Sequence, residues 1–421
     1  MKKSVALMLS LGLIVVSART ALAAAGDLDF SFSGNGIVRT HFHPVDFANA
    51  VVIQPDGKIV AAGIGRSDEF ALARYDSDGT LDTTFGSDGK VHTRFHGIGT
   101  SVAFAVAIQP DLKIVAAGRA GPVGRFALVR YNPDGTLDAN FGRGGKVTTD
   151  LTGRRDGAYA LVIQTNGKIV AAGAAREPRS QVGGNPEFAI ARYRSDGTLD
   201  PTFGGDGTVI TNFTQGFDVA FSLVASGRKM VAAGTAGGFG GKKFAVARYN
   251  PDGSLDGTFD ANGKLQTNVT AGDDAANGVV IQPDGMIVVA GTGGFGRFAL
   301  ARYDSGGSLD AGFGIGGVVL TDFTADDDIA HAVALQADEK IVAAGSAAEG
   351  SGHSAFALAR YNTDGTPDSG FGSNGEVTTD VTSDEDVGHG VAIDVNGIVV
   401  AGSAAEGTDH SAFAVARYLA A

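Results

Sequence analysis

Seven near-copies of one unit of about 56 residues run from Gly26 to the end of the chain, and this repeat limits the fold more than any other feature. One marker is Leu-Asp-x-x-Phe, with its Asp at Asp29, Asp82, Asp138, Asp200, Asp256, Asp310 and Asp368. A second is Phe-Ala-x-x-Arg-Tyr, with its Arg at Arg74, Arg130, Arg192, Arg248, Arg302, Arg360 and Arg417. A unit this short buries its apolar faces only against its neighbours, so the repeat reads as a propeller or a solenoid. No linker, Pro-rich stretch or charge run interrupts it, which makes residues 24–421 one domain.

Before the repeat stand Lys2 and Lys3, an apolar run from Val5 to Val16, and Ala21-Leu22-Ala23. This is the layout of a secretory signal peptide over residues 1–23, with cleavage after Ala23. The expected location is therefore periplasmic or extracellular. The run is too short for a membrane span, nothing after it resembles one, and the absence of Cys removes any need for oxidative folding. Cleavage takes away three cations and no acid, moving the net charge from −13 to −16. Such a surface repels nucleic acid and anionic lipid and keeps an exported monomer soluble.

Within the first complete unit, Ala48 to Gln54 alternates, turns at Asp56-Gly57 and returns as Lys58 to Gly63. Phe70 to Tyr75 and Lys90 to Phe95 are the third and fourth strands. Helical periodicity is absent after residue 25, so the fold is expected to be all-β: a seven-bladed propeller of four-stranded blades. The last unit stops at Leu419-Ala420-Ala421 without its fourth strand, while residues 26–42 begin with that missing piece. The N-terminal segment is therefore expected to complete the last blade and close the ring, which an open solenoid leaves unexplained.

The run Phe-Ala-Leu-Ala-Arg-Tyr-Asx-x-Asp-Gly-Thr-Leu-Asp-x-x-Phe-Gly, carried with small variations at Phe70–Gly86, Phe126–Gly142 and Phe188–Gly204, resembles the bacterial delta-60 repeat family and, more distantly, NHL-type propeller repeats. The resemblance spans the mature chain and implies an exported propeller, but brings no activity and no catalytic residues. Pro367, Gly306 and Asp260 depart from the pattern locally.

Repeated motifs read as scaffold. Asp76-x-Asp78-Gly79-x-x-Asp82 has oxygens spaced like a calcium loop but lacks the later ligands, and Arg194 opens the third copy, so it is a structural turn. The repeated Arg is expected to pair with a repeated Asp between blades. Gly291-x-Gly293-Gly294-x-Gly296 matches a dinucleotide fingerprint but leads into a strand, with no helix N-terminus to hold a pyrophosphate. No nucleophile elbow, zinc-protease or Walker motif is present.

A unique site must be built from positions where the repeats differ. One inner-strand position carries Asn49, Phe104, Tyr159, Phe221, Asn277, His331 and His389, the candidate ligand-binding ring. Three residues earlier stand Asp46, Ser101, Asp156, Asp218, Asp274, Asp328 and Asp386, whose six acids are the candidate metal ligands for calcium or zinc. With Asp273, Asp326, Asp327, Asp384 and Glu385 nearby, the channel mouth is expected to be strongly negative. His353, His410, His41, His43 and His96 place five further imidazoles near blades six, seven and one. The expected function is binding: an acidic face presented to a protein, a glycan or a divalent cation at the cell envelope. The alternative is a propeller-type enzyme, a lactonase or polysaccharide lyase, using Tyr159, His331 or His389 as acid and base with a divalent cation from the Asp ring.

Overall fold

The computed structural model describes residues 23–65, 69–95, 99–153, 155–176, 184–238, 241–350, 352–407 and 409–420. The signal segment, apart from Ala23, and His96 lie outside the described residues. Seven separate four-stranded antiparallel sheets form the molecule, each a meander from an inner to an outer strand. Blade one has Phe47–Ile53 innermost, then Ile59–Gly65, Glu69–Tyr75 and Lys90–Thr93. The outer strand is shorter than the sequence pattern suggests because Arg94 and Phe95 already belong to the connection into blade two. Each inner strand lies beside the inner strands of both neighbours, closing a ring about one axis.

Blade seven confirms the closure. Its outer strand is Ile37–Thr40, pairing antiparallel with Ser411–Tyr418 in the register Ile37 to Ala416 and Thr40 to Phe413. Backbone bonds extend the join, with Gly26 N donating to Leu419 O at 2.9 Å and Asp29 N to Arg417 O at 2.8 Å.

The middle strands of each blade are buried on both faces, and they are rich in Ala and Gly. Small side chains let neighbouring sheets approach, and seven hydrophobic clusters fill the seven interfaces. The one between blades seven and one joins Phe32, Val399 and Phe413 to Ala61 and Tyr75. Blade one meets blade two through Phe70, Phe85 and Tyr131.

Each repeated Arg works on both sides of such an interface. Arg74 Nε donates to Asp82 Oδ2 at 2.7 Å within its own blade, and its guanidinium lies 4.6 Å over the Phe85 ring. A second nitrogen, Nη1, donates to Pro133 O in the next blade. The ion pair is therefore inside the blade, not between blades as the sequence suggests; what crosses the interface is a charged hydrogen bond to a backbone carbonyl. Around the ring the pattern ends with Arg417, which binds Asp29 at 2.7 Å and reaches Ser77 O in blade one. Five of the repeated tyrosines couple the opposite way, as where Tyr75 donates to Thr40 at 2.8 Å, linking blade one to the outer strand of blade seven.

The calcium-like turn is a structural turn here. Asp78 accepts from Thr80 N and Oγ1 at 2.9 and 2.7 Å, and Lys58 Nζ stands between Asp76 and Asp82, where a cation would sit. Burial alone would raise the Asp82 pKa, but hydrogen bonds from Thr84 and Lys58 and the Arg74 charge outweigh it and hold the carboxyl well below its ordinary range.

Deleting residues 26–42 removes a strand, the Asp29 partner of Arg417, the buried Phe32 and the Thr40 partner of Tyr75. Stability is expected to fall by several kcal/mol out of a total of roughly 5–15, because a paired edge becomes an open one. A truncated protein that melts and elutes like the full chain contradicts this role.

Candidate functional site

All seven residues of the candidate ring share one backbone device. On each inner strand the pairing register slips by one residue, and the extra residue is Asn49, Phe104, Tyr159, Phe221, Asn277, His331 or His389. A β-bulge re-aims the side chain it carries. Opposite each bulge stands a glycine, such as Gly63 or Gly345, where an added Cβ would lie 1.8 Å from the carbonyl oxygen of Phe47 or Ile329. No other residue fits so close an approach of two backbones.

The bulge residues separate into three groups. Asn49 and Asn277 each donate to a carbonyl of the following blade, Ala103 O and Ala330 O, both at 2.8 Å. Phe104, Tyr159 and Phe221 form an aromatic arc over blades two to four, with ring centroids 5.0 and 5.6 Å apart. His331 and His389 meet edge to face at 5.1 Å. Burial, followed by the neighbouring His389, pushes the His331 pKa down to about 3, and burial pushes His389 down to about 4.

The structure places the six candidate metal-ligating aspartates elsewhere in the chemistry. Asp46, Asp156, Asp218, Asp274, Asp328 and Asp386 are buried, and each anchors the loop that enters its own inner strand. Asp218 is typical: Oδ2 accepts from Phe213 N and Thr214 N at 2.8 Å, and Oδ1 from Thr214 Oγ1 at 2.8 Å. Asp156, Asp274, Asp328 and Asp386 repeat this arrangement, while Asp46 accepts from Phe42 N and His43 N. Burial raises the carboxyl pKa of Asp156, Asp328 and Asp386 despite these donors. Among the described residues, none of the six shares a common centre with two other ligating groups. Asp326 and Asp384 likewise accept from Gly350 N and Gly407 N, tying neighbouring hairpin loops down.

Nor is the mouth uniformly acidic. Over blades two to four a cavity of about 340 Å³ is lined by Arg119, Arg155 and Arg176 together with Tyr159, Phe217 and Thr100. The Arg119 guanidinium lies 5.8 Å from the Phe104 ring centroid, and Lys242 Nζ is 5.4 Å from that of Phe217. Burial raises the Tyr159 pKa against the opposing pull of Arg119 and Arg176, so its hydroxyl is a hydrogen-bond donor at neutral pH. Sequence reasoning missed these arginines, although a signal existed. Arg119 follows the bulge-facing glycine, where the other blades have Ile64, Ala174, Thr235, Thr292, Ser346 and Ser403. The other histidines do not join the channel pair: His41, His43 and His410 are exposed, and His353 stands on the rim of blade six. The glycine-rich dinucleotide-like run is the end of the second strand and the turn into the third of blade five, as its context suggests.

The imidazoles give stability a definite pH dependence. In the unfolded chain both histidines take up a proton as pH falls below about 6.5, whereas in the fold they stay neutral to about 4 and 3. Stability should therefore decrease between pH 6.5 and 4, by at most about 1.4 kcal/mol per pH unit for each group. Replacing both with the residue used in blades one and five, His331→Asn and His389→Asn, should flatten this limb. Equal slopes in wild type and double variant would contradict it.

A family model described as "Domain of unknown function (DUF5122) beta-propeller" matches residues 54–85, 109–141, 164–203, 228–259, 282–313 and 336–371. These segments cover the second and third strands and their following turn, and leave out every bulge residue. None of the curated proteins compared with the chain matches it. Among solved structures, a PL25 ulvan lyase of the polysaccharide lyases is similar with a TM-score of 0.50 at 12% identity, over 94% of this chain and 96% of that one. The polysaccharide lyase Uly1 has a TM-score of 0.47 at 12% identity, covering 89% and 90%. The PQQ-bound aldose sugar dehydrogenase from Streptomyces coelicolor has 0.41 at 14%, covering 90% and 97%. At these identities the likeness is one of fold. Blades one to six of this ring each hold one segment similar to the DUF5122 beta-propeller model.

Proposed function

We propose that this chain is an exported binding propeller that holds an anionic ligand, of the class of acidic saccharides, in the cavity over blades two to four. The observation that carries the reading is the convergence of Arg119, Arg155 and Arg176 with the Tyr159 and Phe217 rings in a chain of net charge −13. Planar guanidinium groups match carboxylate and sulfate geometry, and aromatic faces pack against sugar rings. The binder is favoured over an enzyme because acid and base must reach one reacting atom. Tyr159 is on blade three, while His331 and His389 are on blades six and seven, across the axis. The delta-60-like repeat and the segment before Ala24 support export to the periplasm or beyond. Among the described residues, no helix is long and apolar enough to cross a membrane.

Titration calorimetry with a short uronic-acid oligosaccharide tests the ligand class. Binding is expected for the acidic sugar and not for its neutral counterpart. Arg119→Ala and Arg176→Ala should each weaken it about 10- to 100-fold, the loss of one hydrogen bond to a charged group. Equal binding of neutral and acidic sugars, or unaltered affinity in both variants, rejects the reading. Separately, the mass of exported material is expected to begin at Ala24; material still starting at Met1 rejects cleavage.

A further inference from the structure

The rim of the same face carries a charge contrast at blade six. In each blade the residue after the outer strand lies near the start of the third strand, and several blades fill that spot with a complementary pair. Blade one pairs Glu69 with Arg94 at 3.1 Å, blade two Arg125 with Asp150 at 3.1 Å, and blade five Arg297 with Asp322 at 3.2 Å. Blade three uses an amide, Asn212 donating to Glu187 at 2.7 Å. In blade seven Arg39 donates to Glu406 at 3.0 Å.

Blade six has no such cation. Thr378 stands where blade seven has Arg39, and the group is Glu349, His353 and Asp380. His353 Nδ1 is 3.7 Å from Glu349 Oε2, and His353 Nε2 is 3.6 Å from Asp380 Oδ1. Both separations are too long for hydrogen bonds. Nε2 is shielded from solvent and has no hydrogen-bond partner. One ligating atom from each of the three residues lies within 4.8 Å of the other two.

We infer that Glu349, His353 and Asp380 form a transition-metal site, best suited to zinc, on the rim of blade six. Two ligands about 2.0–2.1 Å from a tetrahedral zinc stand roughly 3.3 Å apart; one imidazole nitrogen binds the ion, so one of the two spacings belongs to the site, and the third ligating atom lies within 4.8 Å of the other two. An imidazole among the ligands favours zinc over calcium, which takes six to eight oxygens. The backbone is already held for the task. Glu349 N donates to His353 O at 3.0 Å, Gly350 N to Asp326 Oδ2 at 3.0 Å, and Ser354 Oγ to Asp386 O at 3.0 Å. The ion supplies the positive charge that arginine supplies on the rim of blades one, two, five and seven, and three protein ligands leave a fourth position for water or a bound group. The inference does not depend on the anion cavity, which lies over other blades.

Zinc titration of chelator-treated full-length protein, followed by calorimetry and by the visible spectrum of the cobalt-substituted form, tests it. One saturable equivalent is expected, with tetrahedral cobalt absorption and no response to calcium. His353→Ala and Asp380→Asn should each weaken zinc binding at least tenfold, with the metal-free melting curve unchanged because the cluster is on the surface. His331→Ala with His389→Ala should leave zinc binding as in wild type. Absence of saturable zinc binding overturns the assignment. So does binding that survives His353→Ala or disappears with the channel pair.

Discussion

The guanidinium at the base of each third strand is shared between two blades, and the ring depends on this sharing. Arg74, as an example, neutralises Asp82, covers the Phe85 ring and caps Pro133 O in the next blade. Removing either partner of a buried charge pair leaves an uncompensated charge, so each copy resists change. A closed ring of seven such contacts has no terminal blade to fray. The N-terminal segment brings Asp29 and Phe32 to Arg417, so the seventh interface is made of the same parts as the other six.

Because the repeated contacts are committed to the scaffold, individuality is confined to a few places. The bulge is the most important of them. It presents one side chain per blade toward the axis without altering the ladder on either side, and the opposing glycine makes it geometrically possible. Ring residues can then vary from Asn to His to Tyr while the blade stays the same. The paired histidines illustrate the limit: held neutral by burial, they line the channel at a cost that appears only when acid protonates the unfolded chain.

Much of the architecture was legible in the sequence because it is written seven times. The spacing of Leu-Asp-x-x-Phe, the hairpin turns and the complementary ends lead directly to blade count and closure. The ring from Asn49 to His389 was also legible as a set of equivalent positions. What stayed hidden was where hydrogen bonds go. The six aspartates read as a repelling ring because sequence shows their charge and not the donors that enclose them, for five of the six the Thr and backbone groups four and five residues earlier. The repeated Arg read as a contact between blades because its Asp, eight residues on, gives no sign of which side it occupies. The Arg119 cavity depends on blades two to four meeting, which no single repeat records.

A charge that recurs in every blade is neutralised within the scaffold, so the arginines that appear once define the local field. Arg119, Arg155 and Arg176 sit in a cavity with low-dielectric walls on a molecule whose net charge is −13. At a distance an anion meets repulsion, screened beyond about 8 Å at physiological ionic strength; inside the cavity it meets attraction. The two effects select differently. A long polyanion extends over the negative surface and is opposed along most of its length, whereas a ligand with one or two acidic groups on an otherwise neutral body feels chiefly the arginines. The aromatic arc of Phe104, Tyr159 and Phe221 beside them offers apolar contact to that neutral body. Charge distribution thus narrows the proposed ligand to a compact acidic one, a restriction that neither the net charge nor the fold imposes alone.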